Sequence, residues 1–256
     1  MDRCQTIGEQ RFLIITPVYN AEEWIEKCIK STINQTHTNF VHVIVDDCST
    51  DNTWKKLQEA VGADSRYHIS RSNKRFGPLV SHLTANSLSR KQSWSDCDIF
   101  VHLDGDDWLY DETVLQKVAD VYATTGCWAT YGSYVSNDPN YPRVARPLPP
   151  NTSFRDQAKA QWIFSHLRTF KRFLWEGLDQ DCFVDQSGRY YTSAADVAIF
   201  LPVLERAGPD NVHFIDEPLY VYNRECMNED DESVVNQIRS AMDIFAKEPM
   251  QCLSQI

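Results

Sequence analysis

The chain has 256 residues and a formal charge of −11, with 42% hydrophobic and 12% aromatic side chains. That length fits one large domain that buries roughly 70–75% of the surface its unfolded form exposes, and the composition excludes wholesale disorder. The acidity argues against a nucleic-acid backbone or an anionic membrane as principal partner, and an anionic ligand would need a cation to mediate its binding.

No stretch approaches the roughly 18–20 apolar residues of a membrane span. The polar start MDRCQTIGEQ lacks the apolar segment of a signal peptide. The eight cysteines (4, 28, 48, 97, 127, 182, 226 and 252) show no C-x-x-C pair and no zinc spacing. A cytoplasmic protein with reduced thiols is the expectation, and the sequons at Asn34 and Asn151 carry no weight without secretion.

The first half alternates strand and helix signals. Phe12–Ile15 is a short apolar run of the kind buried on both faces. Asn20, with Glu23 three residues on, predicts a helix N-cap, and Trp24, Ile25, Cys28, Ile29 and Ile33 follow at helical spacing. Val41–Val45 reads as a second strand, and DDCSTDNT after it as turn and cap chemistry for a helix over Thr53–Val61. Tyr67–Arg71 is a third strand, NKRFGPL a loop and Leu79–Leu88 a helix. Asp98–Leu103 is a strand, Thr113–Thr124 a helix and Cys127–Val135 another strand. This order predicts an α/β fold with a mostly parallel central sheet and helices on both faces, binding its ligand beyond the carboxyl ends of the strands. Three polar clusters, TPVYN, DDCSTD and DGDD, fall at such ends.

Beyond residue 136 the pattern changes. NDPNYPRVARPLPPN has five prolines in fifteen residues and is extended. Short strands are expected around Val212–Ile215 and Leu219–Tyr222. A surface helix is expected over Asp230–Lys247, from Val234, Ile238, Met242 and Phe245.

The segment VHLDGDDWLYDE crowds five carboxylates into nine positions. A solvated turn explains the arrangement, since Asp-Gly is turn chemistry. Asp104 and Asp106, however, flank Gly105, which lets the backbone approach a ligand, and carboxylates without nitrogen or sulfur neighbours suit Mg²⁺ or Mn²⁺. Asp107 stands next in line. Asp46 and Asp47 precede the cap of the second helix without being needed for it, and a carboxylate there can accept the N3–H of a pyrimidine. In TPVYN the proline fixes the chain, and Tyr19 offers a ring that could pack on a base. The loop Asn73-Lys74-Arg75-Phe76-Gly77 offers a diphosphate partner or a solvated dibasic turn. Asp196 heads an apolar helix as a first-turn carboxylate or a general base. HLRTFKR gathers His166, Arg168, Lys171 and Arg172 and could face an anionic leaving group, or flank a surface helix. No nucleophile elbow, P-loop or G-x-G-x-x-G is present.

Together LIITPVYNAEEWIEKCIKSTINQTHTNFVHVIVDDCSTDNT, VHLDGDDWL and AADVAIFLPVLERAG resemble the family 2 inverting glycosyltransferases of the GT-A (Rossmann-like) fold, over about residues 11–224. The resemblance implies one GT-A domain over 1–256: a nucleotide-sugar half over about 11–136, an acceptor half over about 137–224, and a helical tail over 225–256. It implies that Asp47 hydrogen-bonds the uracil of a UDP-sugar, with Thr16, Pro17, Val18 and Tyr19 alongside the base. Asp104 and Asp106, then Asp107, would meet the ribose and a divalent metal. Asp196 would deprotonate the acceptor hydroxyl, and His166 would lie near the diphosphate or acceptor. Three departures stand out: Ser81-His82-Leu83 replaces Ala-Arg-Asn, Ala195 replaces an acid, and no histidine follows Asn223 in RECMNEDDE.

The function expected is a metal-dependent, inverting transfer of a sugar from a nucleoside-diphosphate donor to a hydroxyl of a carbohydrate or glycoconjugate acceptor. The Mg²⁺ or Mn²⁺ ion would let an acidic protein hold the diphosphate. Two other classes are weighed. A sugar nucleotidyltransferase needs a glycine-rich basic loop that TPVYNAEEW lacks. A non-catalytic glycan- or nucleotide-binding module on the same scaffold differs from the enzyme in product turnover. Peripheral attachment to a membrane through FKRFLW is a further alternative to a purely cytoplasmic protein.

Overall fold

The computed structural model describes residues 10–91, 94, 98–225 and 231–253. The leading segment 1–9, Cys4, Cys97 and Cys226, the stretch 226–230 of RECMNEDDE and the start of the tail helix at Asp230 lie outside the described residues. The first half of the chain comprises β1 (Phe12–Val18), α1 (Ile25–Ile33), β2 (Phe40–Asp46), α2 (Thr53–Val61), β3 (Tyr67–Arg71), α3 (Pro78–Lys91), β4 (Ile99–His102), β5 (Trp108–Leu109) and α4 (Val114–Thr125). The second half comprises β6 (Ala129–Ser136), α5 (Phe154–Ala160), β7 (Arg168–Lys171), α6 (Arg172–Glu176), α7 (Ala195–Ala207), β8 (Val212–Tyr222) and α8 (Asp231–Ala246).

Every residue of β1 and β2 is buried, as continuous apolar runs require of strands covered on both faces. Successive side chains point to opposite faces. Leu13 and Ile15 pack with Leu79 of α3, Leu174 of α6 and Phe200 of α7. Phe12 and Ile14 pack with Ile25 and Ile29 of α1, Leu57 of α2 and Leu115 of α4. Helices therefore cover both sides of the sheet, as the alternation predicted.

The eight strands run in the order β3-β2-β1-β4-β7-β6-β8-β5. The sheet is parallel from β3 to β4. Beyond that it is mixed: β7 is antiparallel to β4 and β6, β8 is parallel to β6, and β5 is antiparallel to β8. With four and two residues, β7 and β5 are too short for a period to be read from sequence. The two strands expected after residue 211 are one, because the register against β6 shifts around Ser133 and lets a bulge pass.

Other local expectations are corrected. Asn20 does not cap α1: it has φ of 49° and its Oδ1 accepts from the Thr50 N–H at 2.8 Å, tying two loops together. On α8, Ile244 enters the core, whereas Ile238 and Met242 stay exposed. In FKRFLW, Phe170, Leu174 and Trp175 are buried, and Phe173 is exposed. No helix among the described residues is long and apolar enough to cross a membrane.

Candidate active site

Parallel register brings the polar clusters to one edge. Val18 pairs with Asp46 and Ile15 with His102, so the residues just beyond them, Tyr19, Asp47 and Asp104, share the carboxyl end of the sheet. A cleft of about 370 Å³ opens there, with Val18, Tyr19, Asp47, Arg75, Asp104 and Asp106 in its walls.

The nucleotide side is built by loops after β1, β2 and β3. Asp46 is used structurally: its Oδ1 accepts from the Ser49 N–H at 3.1 Å, and Arg71 Nε sits 3.0 Å from Oδ2. Asp47 turns toward the cleft, where its carboxylate accepts from the Gly77 N–H at 2.7 Å and the Phe76 N–H at 2.9 Å. Those bonds fix the loop that ends at Gly77, whose φ of +94° and 3.2 Å clearance to the Thr192 backbone suit only glycine. Arg75 lies 4.0 Å over the Tyr19 ring and lines the cleft. Lys74 is held over Phe76 instead, and neither it nor Asn73 lines the cleft. Thr16 is also absent from the lining, because its hydroxyl is engaged by His42 Nε2 at 2.8 Å inside the sheet. Pro17, Val18 and Tyr19 remain from that cluster.

The carboxylate turn follows β4. Gly105 donates to the Pro17 carbonyl at 3.2 Å, and a Cβ there would meet Val18 side-chain carbons at 2.6 Å. Only glycine lets the turn approach β1 so closely. Burial, then Asp106, pushes the Asp104 carboxyl up to about 7, while Arg168 pulls it back. Asp107 is raised by burial first, then by Asp106 and Asp104, and both its oxygens accept bonds from β8 and the residue after it. Among the described residues no three His, Cys, Asp or Glu side chains are grouped to hold a metal ion. Asp104 and Asp106 are the residues that would hold a hard divalent cation, and such an ion would offset the burial and the Asp106 repulsion that raise Asp104.

A second cluster, His166, Arg168 and Asp196, comes from the second half and lies outside that cleft's lining, next to Asp104: Arg168 pairs opposite His102, and the charges of Arg168 and Asp196 act on the Asp104 carboxyl. Arg168 is buried at the start of β7, where Nε donates to the Phe164 carbonyl at 3.0 Å. Its Nη2 reaches Asp196 Oδ2 at 3.1 Å and His166 Nε2 at 3.3 Å. Asp196 thus spends its carboxylate on Arg168 rather than on capping α7, and its side chain keeps 30% exposure, enough to meet an incoming hydroxyl. His166 stacks on Tyr220, with centroids 4.3 Å apart, and burial, then Arg168, drives its pKa well below 6.5, so the ring is neutral. The basic set of HLRTFKR is divided: Arg172 Nη2 donates to the Trp94 carbonyl at 3.0 Å, away from the cleft. Where relatives are expected to carry arginine on α3, His82 is buried against His102, with rings 4.2 Å apart, and Ser81 faces the cleft. Among the described residues Arg75 is the cation that lines the cleft, and Arg168 acts on Asp104 from beside it. The sequence reading passed over Tyr222 and Asn223, which also line the cleft. The only available signal for them was their place at the end of an apolar strand, Tyr222 closing β8 and Asn223 following it.

The family Glycosyl transferase family 2 matches residues 13–183. TuaG of Bacillus subtilis, named for teichuronic acid biosynthesis, is 34% identical over 122 residues, covering 47% of this chain and 45% of TuaG. The chain therefore spans less than half the length of that relative. TarS of S. aureus (residues 1–349, in complex with UDP) superposes with a TM-score of 0.68 at 18% identity, over 93% of this chain and 64% of that one. Glucosyl-3-phosphoglycerate synthase from Mycobacterium tuberculosis, solved with Mn²⁺, UDP and glucosyl-3-phosphoglycerate, gives 0.60 at 15% identity, over 94% and 83%. At these identities the likenesses show the fold, a curled mixed sheet between helices.

Proposed function

This chain belongs to glycosyl transferase family 2, and from that premise we propose that it transfers a sugar from a UDP-sugar to a hydroxyl of a glycan or glycoconjugate, with inversion and with a divalent cation. The observation that carries the reading is that Asp47 and the Asp104–Asp106 turn share one edge of the sheet with the Arg168–Asp196 pair, Arg168 lying opposite His102 and both charges acting on Asp104.

Tyr19, under Arg75, offers a ring for the uracil, and Asp47, oriented by two backbone amides, accepts the base N3–H. Asp104 and Asp106 would hold Mn²⁺ or Mg²⁺, which stabilises negative charge on the departing diphosphate. Arg168, buried beside them, is a fixed cation for the same charge, worth more in a low-dielectric site than in water. Asp196 removes the proton from the acceptor hydroxyl as that oxygen attacks the anomeric carbon opposite the leaving group. One displacement inverts the centre. The acceptor enters from the 137–224 side, where Asp196 is exposed.

Incubation with UDP-glucose, UDP-galactose, UDP-N-acetylglucosamine and UDP-glucuronate, with simple glycosides as acceptors, tests the reading through UDP release. Release that requires Mn²⁺ or Mg²⁺ and stops in EDTA is expected. Nucleotide binding without turnover under every condition would favour the non-catalytic module.

A further inference from the structure

Asp107 is the most buried of the three carboxylates in the turn, with 1% of its surface exposed. Its Oδ2 accepts from the Tyr220 hydroxyl at 2.6 Å and its Oδ1 from the Asn223 N–H at 2.7 Å. The lattice extends on both sides. The Tyr220 hydroxyl accepts from the Asp104 N–H at 3.2 Å, and Asn223 Nδ2 donates to the Asp106 carbonyl at 3.0 Å. Asn137, after β6, donates to Asn223 Oδ1 at 2.7 Å and accepts from the Arg224 N–H at 2.8 Å. Immediately beyond Asp107, β5 pairs with β8, Trp108 opposite Val221. The end of β8 is therefore bound to the backbone of both Asp104 and Asp106. Between the two anchors stands Tyr222, whose ring lines the cleft and stacks on His166 with centroids 5.7 Å apart.

We propose that Asp107 is a positioning residue and not a metal ligand: with Tyr220 and Asn223 it locks the end of β8 to the turn, so that Asp104, Asp106 and the Tyr222 wall of the cleft hold one fixed geometry. A carboxylate whose two oxygens are committed at 2.6 and 2.7 Å would have to break those bonds to ligate an ion. The resemblance to family 2 puts Asp107 next in line for the metal; the geometry leaves it in the lining of the cleft with both carboxylate oxygens already engaged. The inference deepens the proposed function, since it rests on Asp104 and Asp106 as the metal-binding pair.

The experiment compares Mn²⁺ affinity in the presence of UDP, by calorimetry, for the wild type and Asp107→Asn, Asp107→Ala, Tyr220→Phe and Asp106→Asn. Asparagine can still accept from the Asn223 N–H and donate to the Tyr220 oxygen, so Asp107→Asn is expected to retain affinity within about threefold, whereas Asp107→Ala and Tyr220→Phe lose on the order of tenfold, as supporting residues of a metal site do. Asp106→Asn is expected to lose more than either. A loss in Asp107→Asn as large as in Asp106→Asn would overturn the proposal, and so would unchanged affinity in both Asp107→Ala and Tyr220→Phe. Melting temperatures in EDTA keep the brace separable from the metal reading. There Asp107→Ala and Tyr220→Phe each lower the midpoint, and the double variant falls no further than the worse single one. Additive losses would contradict the brace. A wild type that binds no Mn²⁺ but shows this coupling would remove the metal from the proposed function and leave the brace standing.

Discussion

Asp196 makes an ion pair to Arg168 and keeps 30% of its side chain exposed, which suits the proposed base held in place by its neighbour. Asp196→Asn keeps the shape and removes the proton acceptor. Transfer is expected to fall by at least about 10²-fold while UDP affinity stays within a factor of about three. Initial rates with the natural donor check this, and a near-normal rate would remove the base role. The protonation states of the buried groups make a second prediction. His42 and His82 are held neutral with pKa lowered to about 3, chiefly by burial. Their folded values lie below the unfolded one, so the stability they contribute is present above about pH 6.5 and is lost as pH falls. Asp104 has the opposite sign: its folded value of about 7 lies above the unfolded one, so without a cation stability drops as pH rises toward and through 7. A cation that needs the ionised carboxylate should therefore raise the melting temperature more at pH 8 than at pH 6. Equal Mn²⁺ shifts at both values would contradict the environment assigned to Asp104.

Among the elements, the loops carry the site and the strands set its register. Gly105→Ala places a methyl group 2.6 Å from Val18 side-chain carbons, with the Pro17 carbonyl 3.2 Å away, so the turn must move off β1. A destabilisation of about 1–3 kcal/mol is expected, with weaker UDP binding, measurable by urea titration and calorimetry. An alanine variant of wild-type stability and affinity would show that the close approach is dispensable. The same contrast explains what could be read in advance. β1, β2 and β4 announced themselves as apolar runs ending in turn chemistry, and the Asp104–Asp106 and Asp47 clusters could be placed because parallel strands deliver their carboxyl ends together. The period of α7 likewise put Asp196 at its first turn. What escaped depended on long-range partners: β7 and β5 are too short to show a period, the commitment of Thr16 to His42 needs β2 beside β1, and Arg75 rather than Lys74 reaches the cleft because Gly77 turns the loop. Asn20 looked like a cap because cap residues and loop-bridging residues share the same chemistry.

Across the whole molecule, the second half is tied together by one buried ion pair. Arg155 on α5 meets Glu205 on α7 through two bonds, of 2.7 and 2.9 Å, and its Nη1 donates to the carbonyls of Ile244 and Lys247 at the end of α8. Glu205 also accepts from the Met250 N–H at 2.9 Å. Glu205→Ala leaves the Arg155 charge buried without its partner, and a loss of about 3–5 kcal/mol is expected in equilibrium unfolding. A loss under about 1 kcal/mol would mean that the helices hold without the pair. Neither Arg155 nor Glu205 lines the cleft, so the residual folded fraction should bind UDP with wild-type affinity.

In the proposed function, Asp104 and Asp106 recruit a divalent cation through which an acidic protein holds a nucleoside diphosphate. Calorimetric titration of UDP into the wild type and Asp106→Ala, each with Mn²⁺ and with EDTA, tests it most directly. Binding to the wild type is expected to weaken at least tenfold in EDTA, on the order of 1.4 kcal/mol or more, and Mn²⁺ is expected to have no effect on Asp106→Ala. Equal UDP affinity in all four titrations would contradict it, and the carboxylates after β4 would then be a turn and nothing more.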